Sequence, residues 1–295
     1  MGPGQFEQVR RMDGPAVAAA VVAAGGPALE VRAQLAGGAV GAWLVRWPDG
    51  HDGVLTWTAP LPAGHLPGAF ERSVALMGLA HAAGVPLPRY EAVVGLADGS
   101  VAIVQERVAG HIPTEVSVAL ADHAIELAEL RRGLLAGNPR EGSGSSLYLV
   151  EDGPGFCLHG PLRSFSSDTA DLVETIEAIG GSPATERVAD LVHLDYHCGN
   201  LLVTDEHPDR VAAVVDWGGA RAGDLGVDLA ILAFDLTWRS PGSVQQRVET
   251  HLRRTTDPDT FARVWAHAAL RLVDWSIRHH PGDVDHWVAV ARRHV

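Results

Sequence analysis

Lysine is absent from this sequence of 295 residues, and each of its 23 basic residues is an arginine. A step that needs a permanent positive charge must therefore use arginine. Cysteine is nearly absent as well. The chain has only Cys157 and Cys198, which are too few for a disulfide framework, and this favours a reducing compartment and predicts a cytoplasmic protein. We expect Cys198 to be a small filling residue and not a nucleophile.

Long apolar runs are missing too. No run reaches the ~18 residues that a membrane span needs, so no membrane partner is expected. The alanine- and valine-rich residues 16–24 follow two arginines and could mimic a short signal peptide. Because Val17 and Val21 stand at helical spacing, we predict a first helix there instead.

Further elements are predicted along the chain. Five strands are expected at residues 29–35, 42–47, 53–58, 91–95 and 101–106. The stretch 137–167 is rich in glycine, serine and proline, and we expect it to be a long irregular connection. Asp228 is expected to cap the apolar helix that follows it.

The charge of the chain is strongly negative and unevenly distributed. The net charge of −13 argues against a nucleic-acid partner. Residues 1–108 contain 9 acidic residues and 7 arginines, whereas residues 109–295 contain 27 acidic residues and 16 arginines. An acidic surface attracts cationic substrates, although a surface that merely keeps the protein soluble would look the same.

The most informative stretch is the segment 193–216. Two short β-branched runs in it flank a polar stretch with proline and aspartate, which predicts a hairpin. Asn200 precedes the first strand and Asp216 follows the second, so antiparallel pairing would bring them together. Asp195 can reach the same place. Such oxygen ligands suit Mg²⁺, with one carboxylate left to receive a hydroxyl proton.

Simpler interpretations of these residues exist. A single aspartate at a strand end is usually a turn or cap residue. His193, Asp195 and His197 would share one face of a strand, as in the transition-metal site of a metallohydrolase. The combined spacing of Asp195, Asn200 and Asp216 favours kinase machinery. There, one aspartate serves the acceptor hydroxyl, while an asparagine and a second aspartate hold the metal ions.

A family resemblance is carried by three short motifs. This chain contains HLDYHCGN at 193–200 and VVDW at 214–217, which are similar to the catalytic signature of the aminoglycoside phosphotransferase and choline kinase-like family. It also contains GDLGVDLA at 223–230, which is similar to the segment that follows this signature in the family. The resemblance implies an α+β, two-lobed, protein-kinase-like fold. A small antiparallel sheet would form an N-terminal lobe of residues 1–108, and residues 109–295 would form a mainly helical C-terminal lobe.

The resemblance also implies roles for individual residues in an ATP-dependent phosphotransferase. Asp195 would be the catalytic base, and Asn200 and Asp216 would bind Mg²⁺. Glycines between paired strands let backbone amides approach a phosphate closely. Gly38 and Gly41 would accordingly lie in the loop over the phosphates of ATP or GTP.

Two further nucleotide contacts follow from the same resemblance. Backbone groups of Glu106 and Val108 would bind the adenine edge in the linker between the lobes. Thr56 stands where the family has a lysine or arginine that contacts the phosphates. Because the chain has no lysine, another arginine must take over that contact, with Arg46 and Arg72 the nearest candidates, or nucleotide binding must be weak.

The resemblance points to a cationic small-molecule acceptor, with the enzyme acting as a monomer or homodimer. Suitable antibiotics are aminoglycosides or basic cyclic peptides such as capreomycin and viomycin, whose phosphorylation would give resistance. His197, Asp235 and Asp274 are the predicted substrate contacts. A metabolic kinase for choline, a macrolide or a sugar is an alternative. A non-catalytic nucleotide-binding protein is a third possibility, suggested by Thr56.

Overall fold

The structure, a computed structural model, describes the greater part of the chain. The residues it describes are 12–35, 41–58, 69–137, 147–153, 155–181, 189–240 and 242–295. Gly38, one of the two glycines predicted to lie over the phosphates, falls outside these residues. Side chains of the second helix are described from Arg72 onward.

The first part of the chain forms a five-stranded antiparallel sheet, as predicted. Its strands are β1 (Glu30–Leu35), β2 (Ala42–Arg46), β3 (Asp52–Thr58), β4 (Tyr90–Gly95) and β5 (Val101–Glu106). They lie in the order β1-β2-β3-β5-β4. The predicted strands agree with these bounds to within one residue. β3 and β4 have the alternation of a half-buried strand, whereas β5 is buried along most of its length.

One helix covers one face of this sheet. Helix α1 (Gly14–Ala23) begins after Asp13, whose side chain caps it. Val17 and Val21 of α1 pack in one apolar cluster with Leu55 and Trp57 of β3. Since side chains alternate along a strand, Thr56 lies on the opposite face of the sheet.

A second helix, α2 (Ala69–Ala82), connects β3 to β4. Its buried residues Leu76, Met77 and Ala80 belong to the apolar cluster of the second part of the chain. Gly84 follows α2 with φ +94, a backbone conformation that favours glycine after a helix. The helix therefore joins the sheet to the helical part of the molecule.

The second part of the chain is mainly helical. Its helices are α3 (Val118–Glu129), α4 (His159–Phe165), α5 (Ser167–Gly180), α6 (Gly226–Arg239), α7 (Ser243–Thr255), α8 (Pro258–His279) and α9 (Val284–Ala291). They enclose a core with Phe234 and Trp265 at its centre, whose ring centroids are 4.6 Å apart. No helix in the described ranges is both long and apolar enough to cross a membrane.

Short strands flank the motif residues in this part of the chain. They are β6 (Asp190–Val192), β7 (Leu201–Leu202), β8 (Ala213–Val214) and β9 (Arg221–Gly223). β6 pairs with β9, and β7 pairs with β8. The predicted hairpin of the segment 193–216 is confirmed, although each of its strands is only two residues long.

Two expectations about this part of the chain were wrong. The stretch 137–167, expected to be irregular, contains the helix α4. Asp228 was expected to cap the helix α6, but this helix begins at Gly226, with Leu225 in the cap position. Asp228 lies within the first turn, fully buried, and binds other partners.

Candidate active site

The β7–β8 hairpin places Asn200 beside Asp216. Leu201 pairs with Val214, and the Val215 N–H donates to the Asn200 carbonyl at 2.9 Å. The backbone of Asp216 has φ 66 and ψ 57, a left-handed conformation that costs energy in any residue except glycine. Strain of this kind is found where a side chain must point in a particular direction.

Asp195 meets these two residues at the same place. The Asn200 Nδ2 donates to the Asp195 carbonyl at 2.8 Å and to its carboxylate Oδ2 at 3.1 Å. The other carboxylate oxygen accepts from Nη2 of Arg271, on α8, at 3.1 Å. Burial opposes ionisation, but the hydrogen bond and charge of His197, together with Arg271, hold the pKa of Asp195 well below its usual range. Asp195 is therefore ionised at neutral pH.

Asp216 has the opposite electrostatic environment. Loss of hydration among the surrounding protein atoms and the negative charge of Asp195 raise the pKa of Asp216, although the residue as a whole is exposed. The two carboxylates repel each other, and an asparagine amide lies beside them. Their oxygens are suitable ligands for a divalent cation, which would relieve this repulsion.

The loop that carries Asp195 is fixed by a buried ion pair. Both oxygens of Asp228 accept main-chain hydrogen bonds at 2.8 Å, one from His193 and one from Leu194. The same carboxylate pairs with Arg131, and both side chains are completely buried. The guanidinium of Arg131 also lies 4.5 Å from the ring centroid of Tyr196.

His193 has a structural role in this loop. Its Nε2 donates to the Val215 carbonyl at 2.9 Å, and its Nδ1 accepts the Asp195 N–H at 3.3 Å. Burial lowers the pKa of His193 to about 4, so the ring is neutral at physiological pH. With both nitrogens engaged, the ring is not available as a metal ligand, which argues against the metallohydrolase interpretation. The described residues also contain no group of three or more His, Cys, Asp or Glu side chains that could hold a metal.

His197 and Asp235, two predicted substrate contacts, both lie at the catalytic loop. The Nε2 of His197 is 3.5 Å from the Asp195 carboxylate, and 31% of its side chain is exposed. Asp235 accepts the Cys198 N–H at 2.9 Å through one oxygen and the Arg239 guanidinium at 3.1 Å through the other. Asp235 thus binds the loop itself, while a substrate contact by His197 stays a prediction.

Asp274, the third predicted substrate contact, does not face the site. Its side chain is completely buried. It accepts the Leu158 N–H at 2.9 Å and pairs with the Arg278 guanidinium, one turn further along α8. A carboxylate without solvent access cannot meet a solute, so the prediction for Asp274 was wrong.

The predicted linker follows β5 directly. The Glu106 N–H donates to the Arg89 carbonyl, and its carboxylate accepts from the Arg89 side chain at 3.1 Å. Within the described ranges, no hydrogen bond engages the main chain of Val108. Two residues later, Gly110 has φ +142, and His111 pairs with Val203 of the catalytic hairpin. The linker is therefore attached to the element that carries Asn200.

The sheet face opposite α1 carries Thr56, whose Oγ1 is 3.5 Å from the Ile103 carbonyl. The first candidate for the missing cation, Arg46, is paired with Asp52 at 3.0 Å, and Asp52 also binds Arg107. Arg46 therefore already has a carboxylate partner, which it shares with Arg107. Gly41 has φ +89, in the left-handed region that favours glycine.

Sequence reasoning missed two arginines that the fold brings to the site. Arg131 is 97 residues from Asp228, and Arg271 is 76 residues from Asp195. Neither lies in a motif, and an arginine usually faces solvent. The only available signal was the absence of lysine, which shows that arginine must supply every such charge without showing which one.

Comparison with known proteins identifies the family. The model of a phosphotransferase enzyme family matches residues 31–264, which include both the sheet and the catalytic hairpin. The chain belongs to this phosphotransferase family. The predicted family, the predicted fold and the predicted enzyme class are therefore confirmed. No curated protein matches the chain.

Solved structures similar to this family member share its fold. A complex of thermostable aminoglycoside phosphotransferase APH(4)-Ia with ADP and hygromycin B has a TM-score of 0.61 and 16% identity, covering 92% of this chain and 96% of that one. Amicoumacin kinase with AMP-PNP, Ca²⁺ and its ligand has a TM-score of 0.60 and 14% identity, covering 96% and 93%. Aminoglycoside phosphotransferase APH(3'')-Id from Streptomyces rimosus has a TM-score of 0.55 and 18% identity, covering 88% and 98%.

Proposed function

We propose that this phosphotransferase is a kinase that moves the γ-phosphoryl group of ATP to a hydroxyl of a small organic molecule. The observation that carries the proposal is the meeting of Asp195, Asn200 and Asp216 at one place. An ionised base lies there beside two oxygen donors suited to a divalent cation.

In the proposed reaction, Asp195 orients the acceptor hydroxyl and takes its proton. A bond forms between the hydroxyl oxygen and the γ-phosphorus, and the bond from this phosphorus to the β–γ bridging oxygen breaks. ADP leaves with the electron pair of that bond. Most of the rate enhancement in such a transfer comes from positioning and from neutralisation of charge.

Asn200 and Asp216 would hold a Mg²⁺ ion. The donor set fits this ion, because a hard cation prefers carboxylate and amide oxygens and would relieve the repulsion between Asp195 and Asp216. When bound, Mg²⁺ neutralises charge on the phosphates. The Asn200 amide turns its Nδ2 to Asp195, which leaves the Oδ1 on the opposite side of the amide group.

The nucleotide would lie between the linker and the catalytic hairpin. Glu106 and Val108 would contact the base, and the segment around Gly38 and Gly41 the phosphates. The available main chain of Val108 and the left-handed Gly41 support this placement. The similar structures that contain ADP and AMP-PNP favour ATP as the donor. The division into lobes at residue 108 is part of the same proposal.

The test is Asp195→Asn, which keeps the shape of the side chain but removes the base. We expect transfer from ATP to fall by roughly 10²–10⁴-fold, the range that general base catalysis supplies. Release of ADP in the presence of acceptor is the measurement. Asp205→Asn is the matched control, since Asp205 lies in the turn of the same hairpin with 98% of its side chain exposed. Full activity of the Asp195 variant would refute the mechanism.

The acceptor predicted from sequence, a cationic antibiotic such as an aminoglycoside or capreomycin, remains a candidate. The negative charge of residues 109–295 supports it, as do the relatives solved with hygromycin B and amicoumacin. Mass spectrometry of such antibiotics after incubation with ATP and Mg²⁺ would show an added phosphoryl group. If only choline, a macrolide or a sugar gains the group when these are tested in the same way, the alternative acceptor class is supported and the cationic antibiotic is not.

A further inference from the structure

The guanidinium of Arg271 reaches the proposed base from a helix outside the signature. Arg271 lies in the second half of α8, and its Nη2 donates to the Asp195 Oδ1 at 3.1 Å. Only 21% of the Arg271 side chain is exposed, so most of the guanidinium stem lies within the protein. A charge-assisted hydrogen bond held in this way fixes the direction of a carboxylate better than a pair between two exposed side chains does.

Two neighbours of Arg271 on its buried side are uncharged. His267, one turn earlier on α8, has its pKa lowered to about 4, chiefly by burial, and its ring is therefore neutral. The Cys157 thiol is hydrogen-bonded to Arg271, and burial raises the pKa of this thiol, which stays protonated. Among the described residues, the ion pair that Arg271 makes is the one with Asp195. The charge of Arg271 is thus directed at the proposed base.

The two oxygens of the Asp195 carboxylate have different surroundings. Oδ2 accepts from the Asn200 Nδ2 at 3.1 Å and lies 3.5 Å from the His197 Nε2. Within the described ranges, the hydrogen bond to Oδ1 comes from Arg271 alone. An ionised carboxyl oxygen has two lone pairs, so Oδ1 can accept one further donor. With 40% of the Asp195 side chain exposed, we expect an acceptor hydroxyl at Oδ1.

Arg271 also limits how the carboxylate can turn. Without Arg271, Asn200 alone would hold the Asp195 carboxylate by Oδ2, and Oδ1 could rotate away from the acceptor. The charge of Asp216 favours such a rotation, because the two carboxylates repel each other. The positive charge of Arg271 acts on Asp216 in the opposite sense and lowers its pKa. Arg271 therefore opposes the repulsion that would displace the base.

We propose that Arg271 is a positioning residue of this kinase, which fixes the Asp195 carboxylate so that Oδ1 receives the acceptor hydroxyl. The inference rests on the proposed phosphoryl transfer and adds a residue of α8 to the signature. Arg271 would act through Asp195 and needs no contact with substrate. Its effect should be on the rate, because misplacement of a reacting group by about 1 Å can cost roughly 10²-fold.

The test begins with Arg271→Gln, which removes the charge but keeps a polar side chain. We expect kcat to fall by about 10- to 100-fold, while the KM for ATP changes by less than about twofold, because Asn200 and Asp216 are intact. Arg271→Lys keeps the charge and should recover part of the rate. The measurement is ADP release with MgCl₂ and the acceptor that the wild type uses, chosen from aminoglycosides, capreomycin, choline, macrolides and sugars.

Two further variants separate positioning from a general effect on the fold. In the double variant with Asp195→Asn, loss of Arg271 should cost less than about twofold more, since Arg271 acts through the carboxylate. Arg278→Gln is the control. Arg278 lies on α8, pairs with Asp274 and has 19% of its side chain exposed, so this change disturbs the same helix away from Asp195. Its kcat should stay close to that of the wild type. Thermal unfolding verifies that each variant is folded.

Four results would overturn the inference alone. Arg271→Gln could keep the wild-type kcat, or its defect could lie only in the KM for ATP. The losses of Asp195→Asn and Arg271→Gln could multiply in the double variant. Arg278→Gln could lower kcat as much as Arg271→Gln, which would give Arg271 a structural role only. In these cases the kinase activity stands. A wild type that transfers to no acceptor of the panel would instead refute the proposed function, and this inference with it.

Discussion

At the scale of single residues, the catalytic loop depends on a side chain that takes no part in the proposed chemistry. Asp228 accepts two main-chain N–H groups of the loop and pairs with Arg131, and neither side chain is exposed. A buried pair of this kind adds little net stability compared with apolar residues, but loss of one partner leaves an uncompensated buried charge. The position of Asp195 should therefore be sensitive to Asp228.

Asp228→Asn should lower the free energy of unfolding by about 3–5 kcal/mol, because it leaves the Arg131 charge buried and unpaired. The measurement is urea unfolding at pH 7. Asp122→Asn is the control, since it breaks the ion pair with Arg247 on the surface, where such pairs contribute about 1 kcal/mol or less. Equal losses in the two variants would show that the buried pair has no special role.

The residues of the signature could be predicted from sequence, whereas their partners could not. Asp195, Asn200 and Asp216 stand at fixed spacings around a hairpin, and local spacing is visible in a sequence. Whether an aspartate faces solvent or a buried arginine depends on helices far away along the chain. Asp274 was for this reason expected to bind substrate, although it is buried and accepts a hydrogen bond from the Leu158 N–H, 116 residues away along the chain.

At the scale of elements, the linker depends on a glycine that the chain could not replace. Gly110 has φ +142, and a Cβ there would come within 2.8 Å of the Val203 carbonyl in the catalytic hairpin. This close approach allows His111 to pair with Val203. This contact thereby fixes the position of the linker relative to the hairpin that carries the proposed metal ligands.

Gly110→Ala should lower the free energy of unfolding by roughly 1–3 kcal/mol, because alanine is strained at this φ and collides with the Val203 carbonyl. Gly78→Ala is the matched control. Gly78 is an exposed residue of α2, and a Cβ added there would have open space around it, so alanine should stabilise the helix by up to about 1 kcal/mol. Thermal unfolding measures both changes. A Gly110 variant as stable as the wild type would contradict the close approach of the linker to the catalytic hairpin.

Strands were predicted more accurately than helix starts. The predicted positions of the five strands were right to within one residue, and β3 and β4 alternate regularly between more and less buried residues. Helix α4 was missed because it contains Gly160 and Pro161, which usually indicate a loop. Asp228 looked like a cap because aspartate favours helix starts, but tertiary contacts with His193 and Leu194 determined its position.

At the scale of the whole molecule, the two-lobed fold followed from the resemblance, since composition allowed one domain or two. The structure has one apolar cluster under the sheet and a larger one among the helices. Sequence periodicity alone could not show that Leu76 and Met77 of α2 pack with the helical part. The sheet and the helices are thus joined by α2 as well as by the linker.

A nucleotide that contacts both the linker and the catalytic hairpin should stabilise the whole molecule. We expect ATP with MgCl₂ to raise the melting temperature, by an amount equivalent to about 2.7 kcal/mol at a hundredfold excess over Kd. Replacing MgCl₂ by EDTA should reduce the shift, because Asn200 and Asp216 would then contribute nothing. In Asp216→Asn the shift should be small and equal with and without Mg²⁺, while Asp205→Asn should behave like the wild type. A Mg²⁺-dependent shift that survives in Asp216→Asn would mean that the ion is held elsewhere, and the proposed site would then be wrong.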